Sequence, residues 1–162
     1  MRKSKNLAGI LSLIVSLGLA YAVGFAGSIF TTPALDVWYA SLVKPPLSPP
    51  DWIFAPVWTA LYTLIAIAAW LIWKKRAAKG VNSALVIYGL SLVLNLFWSI
   101  FFFGLHDPVL GLATIILLLT LIIAITVLFY RLSKMAGLIF IPYLVWVAFA
   151  TYLNLTIVVL NR

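Results

Sequence analysis

The stretch VLGLATIILLLTLIIAITVLFY, residues 109–130, holds no charged side chain, and Arg131 closes it. A helix rises about 1.5 Å per residue, so about 20 apolar residues span the roughly 30 Å of hydrocarbon in a bilayer. Four more runs of the same kind surround it, at about 7–30, 52–73, 81–103 and 135–160. Period-2 alternation, the mark of a membrane barrel strand, is absent. The reading is an all-α membrane protein: a five-transmembrane-helix bundle forming one domain over residues 1–162.

Composition agrees. Of 162 residues, 65% are hydrophobic and 9% charged, whereas a soluble domain carries roughly 25% charged residues. So few charges could not cover a surface facing water, and most of this surface must face lipid. The chain has no cysteine, which excludes disulfides and thiolate metal sites. One histidine and three carboxylates leave no donor set for a protein metal centre.

The formal charge of +8 sits in short clusters between apolar runs, the pattern of topology signals rather than of a nucleic-acid surface. With a cytoplasmic N-terminus, Arg2, Lys3, Lys5, Lys74, Lys75, Arg76, Lys79, Arg131 and Lys134 lie inside, nine of the 11 basic residues. Lys44, Arg162 and all three acids (Asp36, Asp51, Asp107) then fall outside, and so does the C-terminus. The location expected is an integral multi-pass one, in the cell membrane if the source is prokaryotic. Ala20-Tyr21-Ala22 resembles a signal cleavage site, but the apolar run continues to Phe30, too long for that class.

Residues 31–50 form the longest connection and hold Pro33, Pro45, Pro46, Pro49 and Pro50. Proline fixes φ and removes a donor, so a stiff, extended lid is expected there. Asp51 suits the positive end of the second helix, and Pro142 should kink the fifth span. Ser12, Ser16, Ala20, Gly24 and Ser28 place a small residue at every fourth position of the first span. Such a ridge allows close helix approach, either within the bundle or across a homodimer.

No ionisable side chain lies within the five spans, which argues against an ion-coupled transporter. The carboxylates stand at loop edges, so a general acid/base pair has no home. His106 reads as a loop residue. The spans do carry aromatic and amide groups in their outer halves: Trp58 and Tyr62 on the second, Asn95, Trp98 and Ser99 on the third, Trp146, Ala150 and Asn154 on the fifth. Either these converge on a pocket for a flat apolar ligand, or they are interfacial aromatics and interhelical amide bonds.

The order of these residues resembles the TspO/MBR family, which includes the peripheral benzodiazepine receptor. Trp38-Tyr39-Ala40-Ser41-Leu42-Val43-Lys44-Pro45 is similar to its W-Y-x-x-L-x-K-P. Pro49-Pro50-Asp51-Trp52 and Pro56-Val57-Trp58 with Leu61-Tyr62 follow at the family's spacing. Leu94-Asn95, Trp98-Ser99 and Phe102-Phe103-Gly104 resemble its third-span signature, and Pro142-Tyr143-Leu144 through Leu153-Asn154 its fifth. Leu47 stands where the family often has tryptophan, and no tyrosine follows Asn154 closely, so sterol binding is a weaker expectation than porphyrin binding.

The resemblance implies a five-helix, often dimeric, membrane protein that binds porphyrins such as protoporphyrin or haem, with no required cofactor. In animal members it implies cholesterol and synthetic isoquinoline ligands. The residues it assigns to binding are Tyr39, Lys44, Trp58, Asn95, Trp146 and Ala150; Tyr62, Trp98 and Asn154 come from their depth. The expected role is a sensor or regulator of tetrapyrrole or stress responses, with a porphyrin or sterol carrier as the alternative. A slow light- and oxygen-dependent degradation of protoporphyrin would use Trp58 and Trp146. The expected partners are the ligand, the lipid bilayer and a second copy of the chain, not nucleic acid.

Overall fold

The computed structural model describes residues 2–162, with side chains described from residue 7 onward. The side chains of Arg2, Lys3 and Lys5, which enter the topology count, therefore lie outside the described ones. Five helices carry the chain: α1 (Arg2–Ala34), α2 (Phe54–Trp73), α3 (Val81–Ser99), α4 (Pro108–Leu132) and α5 (Lys134–Leu160). All five are long and apolar enough to cross a membrane, and the described residues include no strand. With an odd number of crossings, the termini stand at opposite ends of the bundle.

Short-range chemistry sets the boundaries. Asp107 accepts from the backbone N–H groups of Val109 (3.0 Å) and Leu110 (2.9 Å), with Pro108 in the first turn of α4. This satisfies amides that helix geometry leaves orphaned. Gly80, at φ 88°, makes the left-handed step that opens α3, a conformation glycine adopts without penalty. Pro142 lies inside α5, which continues through it to Leu160.

Packing runs α1 on α2 and α3, α2 on α5, α5 on α4 and α4 on α3, which closes a ring in the order α1–α2–α5–α4–α3. Lipid tails are as apolar as leucine, so close fit rather than water exclusion holds such helices together. Phe129, Phe140 and Tyr143 are fully buried, with Leu118 and Ile122 beside them in the core. By contrast, α1 turns Leu11, Ile14, Val15, Leu19 and Phe25 outward. Its inward contacts include Leu17, Val23 and part of the small-residue ridge. Ser16 Oγ donates to the Ala66 carbonyl at 2.7 Å, and Ala20 is fully buried. A Cβ on Gly24 would stand 2.6 Å from the Tyr62 ring. At these positions the ridge is the α1–α2 seam within one chain.

The extended lid expected over residues 31–50 is shorter than that. Helix continues through Pro33, a π-helical turn follows at Leu35–Tyr39, and helix ends at Ser41. Pro33 cannot donate to the Ile29 carbonyl, yet tertiary packing outweighs that loss. Trp38 meets Phe102 edge-on with ring centroids 5.4 Å apart, and Tyr39 meets Phe103 at 5.8 Å. Phe102 and Phe103 belong to a second π-helical turn, Ile100–Gly104, at the end of α3. The aromatic seam between the two turns holds residues 31–41 helical. Only the segment from about 42 to 50, with four of the five prolines, is non-helical.

Asn161 holds that segment. Its side-chain amide accepts from the Val43 N–H (2.9 Å) and donates to the Val43 carbonyl (3.0 Å) and to its own helix at Ile157 (2.9 Å).

Candidate functional site

The bundle is solid at one end and hollow at the other. At the end bearing the α1–α2 and α3–α4 connections, a cavity of about 490 Å³ opens between α1, α2 and α3. That is within the roughly 300–1,000 Å³ of small-molecule sites. Trp58, Trp98 and Phe103 supply its aromatic walls, and Asn95, Ser99 and Thr31 its polar groups. Phe25 and Thr59 line the cavity and are also exposed on the outer surface. The cavity therefore opens sideways between α1 and α2, onto the face that lipid covers.

Wall geometry follows from helix spacing. Trp58 and Tyr62, one turn apart on α2, have ring centroids 5.6 Å apart at 31°. Trp98 lies 6.2 Å from Trp58 at 34°. The two indoles are tilted against each other, and both line the cavity with apolar ring surface. The base is a hydrogen-bonded chain: Tyr62 Oη donates to Asn95 Oδ1 (2.6 Å), and Asn95 Nδ2 donates to Tyr143 Oη (3.2 Å). It ties α2, α3 and α5 together at one depth.

The nominated residues divide into two groups. Trp58, Tyr62, Asn95 and Trp98 line the cavity. Tyr39, Ala150 and Asn154 instead line a void of about 20 Å³ between the end of α1, α3 and α5. Phe54, Trp98 and Phe103 line both spaces and form the partition. Trp146 lines neither; it packs on Phe54 at 6.1 Å, with its indole N–H buried and unpartnered. The Lys44 ammonium sits 4.7 Å above the Tyr39 ring, outside the cavity lining. The charged side chain that does line it is Asp51.

Both amides also serve the fold. Asn95 is engaged as above, and Asn154 accepts from the Trp98 indole N–H (3.1 Å) and donates to the Pro108 carbonyl (2.8 Å). His106 stacks on Trp38 at 4.6 Å and 13°, far from any haem-like placement inside the bundle. The α1 contribution to the wall (Gly27, Ser28, Thr31, Thr32) was missed by the reading of aromatics and amides. Its signal was present in the small-residue ridge, which continues into Thr31-Thr32.

The TspO/MBR family matches residues 16–160. The chain is 46% identical over 156 residues to the tryptophan-rich protein TspO of Chlorobaculum tepidum, covering 94% of this chain and 97% of that one. It is 36% identical over 138 residues to the tryptophan-rich sensory protein of Cereibacter sphaeroides, covering 83% and 85%. The translocator protein of Bos taurus is 38% identical over 147 residues, covering 88% and 83%.

Proposed function

The chain belongs to the TspO/MBR family, and from that premise we propose that it is a membrane-embedded binding protein for a porphyrin or similar tetrapyrrole, acting as a sensor or regulator. One observation carries the reading: a cavity of about 490 Å³ lined by the indoles of Trp58 and Trp98 and reached from the side. A porphyrin is a rigid conjugated plane, and aromatic pairs gain roughly 0.5–1.5 kcal/mol beyond area burial. Its two carboxylates belong at the rim, because a bare charge in hydrocarbon is costly. In this reading the cation-rich end of the bundle faces the cytoplasm, and the cavity lies in the outer half of the membrane.

The test adds bulk at the mouth without touching the core. Ser28 lines the cavity, and its hydroxyl bonds only its own helix, at the Phe25 carbonyl (2.7 Å). Ser28→Leu should keep the fold and weaken protoporphyrin affinity at least about tenfold, read by tryptophan quenching in detergent. A tenfold change corresponds to about 1.4 kcal/mol. Equal affinities in the two proteins would remove this cavity as the porphyrin site. Illumination of the complex in air adds a second readout, since a protein-dependent new pigment would move the reading from sensor to photo-oxidative enzyme.

A further inference from the structure

The end of the bundle opposite the cavity carries the α2–α3 and α4–α5 turns, and its charges are all of one sign. Lys74, Lys75, Arg76, Lys79, Arg131 and Lys134 are all exposed there. The three acids of the chain stand elsewhere: Asp36 after α1, Asp51 before α2 and Asp107 before α4. A helix the length of α3 separates the two ends by about 30 Å at roughly 1.5 Å per residue. Screening extends only about 8–10 Å at physiological salt. The acids therefore cannot neutralise this end.

Three of these cations are also held in place. Lys74 Nζ lies 4.5 Å over the Trp70 ring, and the Arg76 guanidinium 4.1 Å over Trp73. The Trp70 indole is itself fixed, donating to the Gly9 carbonyl at 2.9 Å. Lys75 Nζ donates to the Leu132 carbonyl at 2.7 Å, which ties the α2–α3 turn to the α4–α5 corner beside Arg131 and Lys134. Indoles settle at the membrane–water boundary. Two of the cations are thus stacked on the groups that define headgroup depth. A soluble polyanion would gain nothing from that placement, whereas a lipid phosphate lies in the same plane.

We propose that this end is a binding collar for anionic phospholipid headgroups, with the Lys74–Trp70 and Arg76–Trp73 pairs and the Lys75, Arg131 and Lys134 corner as its contact groups. The collar makes the two ends of the protein differ in lipid preference. It does not rest on the porphyrin reading of the cavity. Each cation that engages an anionic headgroup should contribute about fivefold in preference.

The test reconstitutes the full chain in phosphatidylcholine vesicles and compares spin-labelled phosphatidylglycerol with spin-labelled phosphatidylcholine at the protein surface. The wild type should favour the anionic label about fivefold or more at low salt, and less at high salt. The triple variant Lys74→Gln/Arg76→Gln/Arg131→Gln should lower the ratio several-fold, whereas Lys44→Gln at the far end should leave it unchanged. Should the triple variant not assemble, Lys134→Gln removes one contact cation that stacks on no indole and should lower the ratio several-fold. A wild-type ratio near one, or an undiminished ratio in a folded collar variant, would overturn the proposal. So would loss of the preference in inorganic phosphate but not in chloride of equal ionic strength, which would assign the cluster to a soluble anion.

Discussion

The two halves of this bundle use the same residue types to opposite ends. Near the α2–α3 and α4–α5 turns, Tyr88, Phe129, Phe140 and Tyr143 interlock with centroids 5.2–6.3 Å apart. Those contacts run through α3, α4 and α5, which supply bulky side chains to one another. In the other half, Trp58, Trp98 and Phe103 stand equally close, yet they surround about 490 Å³ of space. The difference is α1. It lines the cavity with Gly24, Gly27, Ser28 and Thr31, too small to fill what the indoles leave open, while its bulky Tyr21 and Phe25 at the cavity edge stay exposed. Aromatic residues close a core when they meet each other from facing helices, and wall a cavity when they meet a ridge without bulk.

The largest effect expected from breaking this contrast is in the solid half. Phe140 is fully buried against Tyr88, Phe129 and Tyr143. Phe140→Ala should cost about 3–5 kcal/mol, the usual range for truncating a buried phenylalanine. Thermal unfolding in detergent, followed by helical circular dichroism, would show it as a large fall in Tm. If the loss is no greater than for Trp58→Ala, the two halves are not packed differently.

An intermediate effect is expected at the boundary. A leucine at Gly24 would drive into the Tyr62 ring, whose nearest atom lies 2.6 Å from the position of a Cβ. Overpacking of this kind costs about 1–3 kcal/mol, and it displaces the hydroxyl that donates to Asn95. Gly24→Leu should lower both Tm and protoporphyrin affinity in detergent. A well-folded variant that changes only its oligomeric state would instead make the ridge a seam between two chains.

The smallest effect sharpens the comparison inside the hollow half. Trp146 packs on Phe54 and Phe149, and its N–H is buried without a partner. Phenylalanine removes that unsatisfied donor, so Trp146→Phe should change stability by less than about 1 kcal/mol and porphyrin affinity by less than about twofold. A tenfold loss of affinity would place Trp146 against the ligand and require the Phe54 partition to open.

What was legible in the sequence follows from what a bilayer demands. Uncharged runs of helical length must span, and they must be helices, because hydrocarbon offers no partner for a free backbone group. The five spans and the clustering of cations at alternate connections are local properties, readable residue by residue. So was the succession of motifs from Trp38 to Asn154, since spacing along a chain is itself sequence. The partners of each side chain were not legible, because they depend on how the helices rotate and tilt against one another. Periodicity put Trp58, Trp146, Asn95 and Asn154 at related depths. Only packing decided that Trp58 and Asn95 line the cavity, while Trp146 sits behind Phe54 and Asn154 bonds Trp98. The same holds for the helical turn beyond Pro33: its prolines argued for an extended lid, and aromatic contacts with residues more than sixty positions away held it helical. Chain geometry and solvent determined the spans, and tertiary contact determined which faces meet and which leave room for a ligand.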